Sequence, residues 1–135
     1  MAKRIEDIEG IGPKKGAALR EHGIRSVDDL LNAGATKKGR AQLAEKTGMN
    51  ESSILKCVNM ADLFRVKGVA SQYAELLEAA GVDTVKELKN RNAENLAAKM
   101  EEANAAKKLV RKTPSVKVIA SWIDQAKSLP GIVTY

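Results

Sequence analysis

The sequence predicts an all-α fold of about nine short helices, and three observations carry that prediction. Hydrophobic residues fill 44% of the 135 positions but aromatics only 3%, so the core must be built from Ala, Leu, Ile and Val. Residues that favour helices dominate, and only three prolines interrupt them. Helix caps and glycine stops also recur in register along the chain, as an internal duplication of a helical unit would leave them.

In chain order, helices are expected near 3–8, 13–22, 27–33, 37–47, 51–65, 71–80, 85–91, 93–108 and 116–128. The stretch Ile8-Glu9-Gly10-Ile11-Gly12-Pro13-Lys14-Lys15-Gly16 organises the first half. Gly10 and Gly12 flank one apolar residue and permit a tight turn. Pro13 suits a first helical position, where its missing N–H has no intrahelical partner to lose. Gly23 is placed to stop that helix, and Ser26 with Asp29 sits at capping-box spacing to open the next. Gly34 and Gly48 are the following stops, and Asn50 and Ser115 are N-cap candidates. Segment 51–65 is read as ending the first unit and supplying the first arm of a second hairpin, with no flexible linker. Ile132-Val133-Thr134-Tyr135, after Pro130-Gly131, reads as an extended or frayed tail.

A shift of 58 residues pairs Gly10 with Gly68, Ile11 with Val69, Gly12 with Ala70 and Gly16 with Ala74. It also pairs Leu19 with Leu77, Gly23 with Gly81, Ser26 with Thr84 and Leu30 with Leu88. Changed offsets extend the match: Leu43 pairs with Leu96 at 53 residues, and Cys57 with Trp122 at 65. The expected organisation is therefore unit one at 1–62, unit two at 63–130 and a tail at 131–135.

The Gly10–Leu19 stretch resembles the helix-hairpin-helix motif of many DNA-binding and DNA-processing proteins. The likeness rests on the apolar-Gly-apolar-Gly core, the small Gly16 and the core position Leu19. Over its length the chain is similar to a bacterial family of uncharacterised tandem helix-hairpin-helix proteins. Ile5 to Leu31 and Met60 to Pro130 carry this, notably Lys67-Gly68-Val69 and Ala79-Ala80-Gly81-Val82-Asp83-Thr84-Val85. The resemblance implies five-helix SAM-like units and DNA binding, and it supplies no activity. Residue by residue, it implies a nucleic-acid contact at Gly10, Ile11, Gly12, Lys14 and Lys15, made by amides with lysine side chains assisting. A second contact would involve Arg65, Lys67, Gly68 and Ala70. Ala70 departs from the pattern, and alanine disfavours positive φ, so a distorted second turn is expected there, with Ser71 able to cap the helix.

The residues themselves support an anion site at the first hairpin, because free N–H groups, the positive end of a helix dipole and two ammonium groups meet there. The same glycines could instead serve only to let two helices cross closely. A nucleotide loop of the Gly-x-Gly-x-x-Gly kind fails, since the third glycine comes one residue late and no strand precedes it. Lys107-Lys108 with Arg111-Lys112 and Lys117 form the densest basic cluster, either a phosphate track or a solvated helix end. Lys37-Lys38-Gly39-Arg40 is open to the same two readings.

Composition narrows the rest. A net charge of +6 with pI near 9.5 is compatible with a polyanion. One cysteine, Cys57, rules out an internal disulfide and a cysteine-based metal cluster. His22 stands alone beside a helix stop, and the pairs Asp28-Asp29 and Glu101-Glu102 are adjacent on their helices and cannot converge on one metal. Few aromatics leave little to stack single-stranded bases. No apolar run approaches a membrane span. These features point to a cytoplasmic non-enzyme with no cofactor, metal or small-molecule substrate. The expected function is binding of double-stranded DNA without sequence preference. The alternatives are a protein–protein adaptor or an accessory subunit of a DNA-repair or nuclease complex.

Overall fold

Short apolar spacings punctuated by glycine and hydroxyl caps produce eight α-helices and one 3-10 turn among the described residues, with no β-strand. The computed structural model describes residues 4–8 and 10–135. The expected helix start at Lys3, and Glu9 of the hairpin stretch, lie outside the described residues. After the 3-10 turn Ile5–Asp7, the helices are α1 (Pro13–Glu21), α2 (Val27–Ala33), α3 (Lys37–Thr47), α4 (Glu51–Leu63), α5 (Ser71–Ala79), α6 (Val85–Leu88), α7 (Ala93–Lys107) and α8 (Val116–Lys127).

The chain divides into two compact units: one runs to Asp62 and takes in Ile132–Tyr135, the other is Leu63–Gly131. In the first, α1 and α2 both pack on α3 and on the 3-10 turn. Ile5, Ile8, Leu19, Leu30, Leu43 and Val58 form much of its core. Arg4 bridges Ser26 in antiparallel fashion, and the Ile5 amide donates to the Arg25 carbonyl (3.2 Å), which ties the start of the unit to the α1–α2 connection. In the second unit α7 packs on α5 and α8, and α6 packs on α8. Leu76, Leu77, Leu88, Met100, Ile119 and Trp122 are buried there. Cys57 and Trp122 are both buried, as core positions should be.

Caps follow local chemistry. Ser26 accepts from the Asp29 amide (3.1 Å) while Asp29 Oδ2 accepts from the amides of Ser26 (3.2 Å) and Arg25 (3.1 Å). These amides hold the Asp29 carboxyl below its usual pKa, the Arg25 amide contributing most. Thr84 and Ser115 accept from the amides of Glu87 and Val118 in the same way. Gly23 (φ +83), Gly48 (φ +76) and Gly81 (φ +95) close their helices in the left-handed region. Gly34 ends α2 with an ordinary φ of −103.

Three expected elements come out shorter by two residues or more, while 13–22, 71–80, 93–108 and 116–128 each end one residue early. The segment near 3–8 is only the 3-10 turn, because Ile8 is already extended and leads into the hairpin. Segment 51–65 ends at Leu63, where the Val66 amide bonds to the Leu63 carbonyl (3.1 Å) and turns the chain. Segment 85–91 is helical only to Leu88, and the amides of Asn90 and Arg91 tighten onto Glu87 and Leu88. The tail has no regular structure and is anchored: the Thr134 amide donates to the Ala35 carbonyl (2.8 Å), and Arg40 donates to the Thr134 carbonyl (2.6 Å). Arg40 is only 4% exposed and also donates to the carbonyls of Gly34 and Ala35. It therefore closes α2 and holds the tail, and the basic run 37–40 loses that charge as a surface feature.

These backbone angles separate positions that need glycine from those that do not. Gly23→Val and Gly81→Val should each cost about 1 kcal/mol or more in thermal denaturation, since a β-branched residue is strained at positive φ. Gly10→Ala, at φ +94, should cost about 1–2 kcal/mol. Gly12→Ala should stay within about 0.5 kcal/mol, because φ is −85 and open space surrounds the added methyl.

Candidate functional site

The first hairpin is a four-residue turn. The Ile11 amide donates to the Ile8 carbonyl (3.1 Å), and Gly10 takes the positive φ at its third position. Ile8 and Ile11 are buried on either side of the turn, so Gly10 and Gly12 are pushed outward and exposed. Gly12 is extended and is the N-cap of α1, with Pro13 following as the first helical residue. The Gly12 carbonyl accepts the Gly16 amide (2.9 Å) and starts the helical ladder. Among the described residues, the amides of Gly10, Gly12, Lys14 and Lys15 find no acceptor, and no side chain caps α1.

The charges at this helix start run against the ordinary preference. Acidic residues favour a helix N-terminus, and α2, α4, α6 and α7 each carry one in the first turn. The first turn of α1 has none and carries exposed Lys14 and Lys15 instead. Helix α3 also begins with two lysines, but there Thr36 caps the Gly39 amide (3.0 Å). Lys14, Lys15 and Ala18 form one wall of an open groove of about 350 Å3. Thr47, Gly48, Met49, Asn50 and Ser53, at the end of α3 and the start of α4, form the other. His22 Nε2 donates to the Lys46 carbonyl (3.0 Å) and fixes the end of α1 to the end of α3. Nothing in the sequence marks the 47–53 wall, because its role depends on how α3 packs.

One ion pair sets the position of this hairpin. Arg20 on α1 grips Glu6 of the 3-10 turn with Nε (2.9 Å) and Nη2 (2.6 Å). The Arg20 hydrogen bonds hold the Glu6 carboxyl down at about 2. A methyl on Gly16 would come within 2.6 Å of Glu6 Oε2, so the small residue makes room for the carboxylate.

The second hairpin keeps the backbone and changes the side chains. Gly68 takes φ +93, the Val69 amide donates to the Val66 carbonyl (3.2 Å), and the Ala74 amide donates to the Ala70 carbonyl (2.9 Å). Ala70 lies at φ −94, ψ 177, beside Gly12 at φ −85, ψ −177. The expected distortion is absent because only the first glycine of the pair needs positive φ, and Gly68 meets that need. Ser71 is not the cap; it is the first helical residue, and Ala70 holds the cap position without a side-chain bond.

Its polar groups are more engaged than those of the first. Gln125 accepts the Lys67 amide on Oε1 (2.9 Å) and donates Nε2 to the Lys67 carbonyl (3.2 Å). Arg65 donates to the Pro130 carbonyl (2.6 Å). Positions equivalent to Lys14 and Lys15 hold Gln72 and Tyr73, and the Tyr73 ring tilts against Trp122 with centroids 5.6 Å apart. A methyl on Gly68 would lie 3.1 Å from Trp122 Nε1, so this glycine is held by packing as well as by φ. Of the candidate residues, Gly10, Gly12, Lys14 and Lys15 share one exposed surface with buried Ile11 as its anchor. Gly68, Ala70 and Lys67 share another, while Arg65 is half-buried.

Among the described residues no group of three or more His, Cys, Asp or Glu is placed to hold a metal ion, and no helix is long and apolar enough to cross a membrane. The model of a domain of unknown function, DUF4332, matches residues 9–129, and the chain belongs to that family. Neither curated proteins nor solved structures yield a match to it.

The Glu6–Arg20 pair makes stability sensitive to acid. Between pH about 4.5 and about 2 an unfolded Glu6 takes up a proton while the folded one resists, so the unfolded state binds more protons and stability falls as pH drops. Thermal melts across that window should show a steeper loss for the wild type than for Glu6→Gln. Parallel curves would remove the pair from the account.

Proposed function

We propose, for this member of a family of unknown function, that the chain is a tandem helix-hairpin-helix protein that binds double-stranded DNA without sequence preference. The observation that carries this is the start of α1, where the amides of four exposed residues find no acceptor among the described residues and two lysines stand where acidic residues would stabilise the helix. An anion resolves both features at once. Phosphate oxygens accept the amides of Gly10, Gly12, Lys14 and Lys15, and the lysines neutralise charge. The donors are spread over residues 10–15 on an open surface, which suits consecutive phosphates of one strand better than a single enclosed ion. Backbone contacts of this kind set position and carry no sequence information.

The tandem reading is supported by hydrogen bonds that repeat at the 58-residue shift. The pairs Ile11–Ile8 and Val69–Val66, Gly16–Gly12 and Ala74–Ala70, Ile24–Leu19 and Val82–Leu77, and Leu30–Ser26 and Leu88–Thr84 correspond one to one. A duplicated unit accounts for that more simply than independent folding of each segment. On this reading the protein is a cytoplasmic binding module with no catalysis of its own.

Lys14→Glu with Lys15→Glu tests the site, since acidic residues at a helix start leave folding intact, as a thermal melt will verify. If about four phosphates are neutralised at this hairpin, it should contribute about −3.6 to the slope of the wild-type log affinity for duplex against log salt. The double variant should bind far more weakly, with a shallower slope. Equal binding by the folded variant, or no duplex binding by the wild type at low salt, would exclude the first hairpin as a phosphate site and favour the adaptor reading.

A further inference from the structure

The loop between α7 and α8 carries Lys108, Arg111 and Lys112. It is clasped from within: Asn104 donates Nδ2 to the Val110 carbonyl and accepts the Val110 amide on Oδ1, both at 3.0 Å. Lys108 caps α7 with its amide on the Asn104 carbonyl (2.7 Å) and lies at φ 52, the one positive φ outside glycine among the described residues. At the end of α3 the same task falls to Gly48. A lysine is less favourable than glycine in that region, so the backbone does not explain it. The helix dipole accounts for cations at the end of α7, and it does not reach Arg111 and Lys112 beyond the turn.

The side chains converge on one feature. Lys108, Arg111 and Lys112 line an open groove of about 610 Å3, opposite Gln72 and Tyr73. No carboxylate lines it, and among the described residues none of these three cations is in an ion pair. Like charges held together on a clasped loop repel one another, and an anion among them reverses the sign of that interaction.

We propose that this groove is a second site for a nucleic-acid backbone, in which Lys108, Arg111 and Lys112 neutralise successive phosphodiesters. It rests on the reading of the first hairpin as a duplex contact and adds a loop that the hairpin motif does not include. The groove is open rather than cupped, and its cations are strung along residues 108–112, which suits charges repeated along a backbone rather than one small anion. Asn104 is a positioning residue, acting through the loop it clasps.

The test compares Lys108→Gly/Arg111→Gln/Lys112→Gln with a control, Lys86→Gln/Lys99→Gln/Lys127→Gln, which removes as many exposed charges elsewhere in the same unit. Glycine at position 108 relieves the backbone, so the loop variant should melt no lower than the wild type. In fluorescence anisotropy with a short duplex from about 50 to about 200 mM salt, the loop variant should bind about ten-fold or more weakly, with a slope shallower by about 2.7. The control should keep the wild-type slope. A loop variant that matches the control overturns this site, and it leaves the first hairpin untouched if Lys14→Glu/Lys15→Glu still loses binding. Loss in the loop variant alone, with the hairpin variant unaffected, retains this site and removes the hairpin reading. A wild type that ignores duplex but binds anionic phospholipid vesicles through this loop overturns the nucleic-acid assignment.

Discussion

The turn closed by the Ile11 amide on the Ile8 carbonyl is the constraint on which the rest of the first unit depends. It sends two isoleucines into the core from either side of one left-handed glycine, and that fixes what lies outside. With Ile8 and Ile11 buried, the Gly12 peptide and the first turn of α1 have nowhere to go but the surface. The Glu6–Arg20 pair then locks the arm before the turn to the helix after it. Unpartnered amides at the helix start follow from this geometry, since four N–H groups at any helix start lack intrahelical partners. Most helices of this chain quench theirs with a hydroxyl or an amide side chain. Helix α1 is denied that by Gly12, and its lysines leave the electrostatic demand open.

Much of this was legible in the sequence, because it is local chemistry. Ser26, Thr84 and Ser115 cap, Gly23, Gly48 and Gly81 stop, and Pro13 opens a helix, each for reasons contained within four residues of chain. The all-α class followed from the same signals. The sequence is ambiguous where one residue type serves two ends. Two glycines in a Gly-x-Gly turn look equivalent, so Ala70 reads as a defect. Only the first glycine is in the left-handed region, and the second position is extended backbone that alanine adopts freely.

Charge was the least legible property. Arg40 and Arg65 read as surface cations, yet Arg40 is buried and gives its guanidinium to the carbonyls of Gly34, Ala35 and Thr134, and half-buried Arg65 donates to the Pro130 carbonyl. Their partners lie up to 94 residues away, and no local pattern marks them. Conversely, Gln125 carries no signal of function, but it occupies the Lys67 peptide and so withdraws an amide from the second hairpin.

The comparison of the two hairpins bears on what a glycine hairpin means. Their backbones agree closely at the turn (φ 94 and 93) and at the cap (φ −85 and −94), while their side chains diverge: lysines on α1, Gln72 and Tyr73 on α5. Backbone form therefore does not distinguish the two hairpins, since both have it. It is a folding requirement, satisfied by burying Ile8 and Ile11 in one unit and Val66 and Val69 in the other. What distinguishes the sites is where cations stand relative to the exposed amides. In the first they ride on the helix itself; in the second Lys67 stands in the turn and the others come from the loop after α7, across a groove from the helix start. Glycine substitutions disturb fold and site together, whereas charge substitutions on the lysines and on that loop separate them.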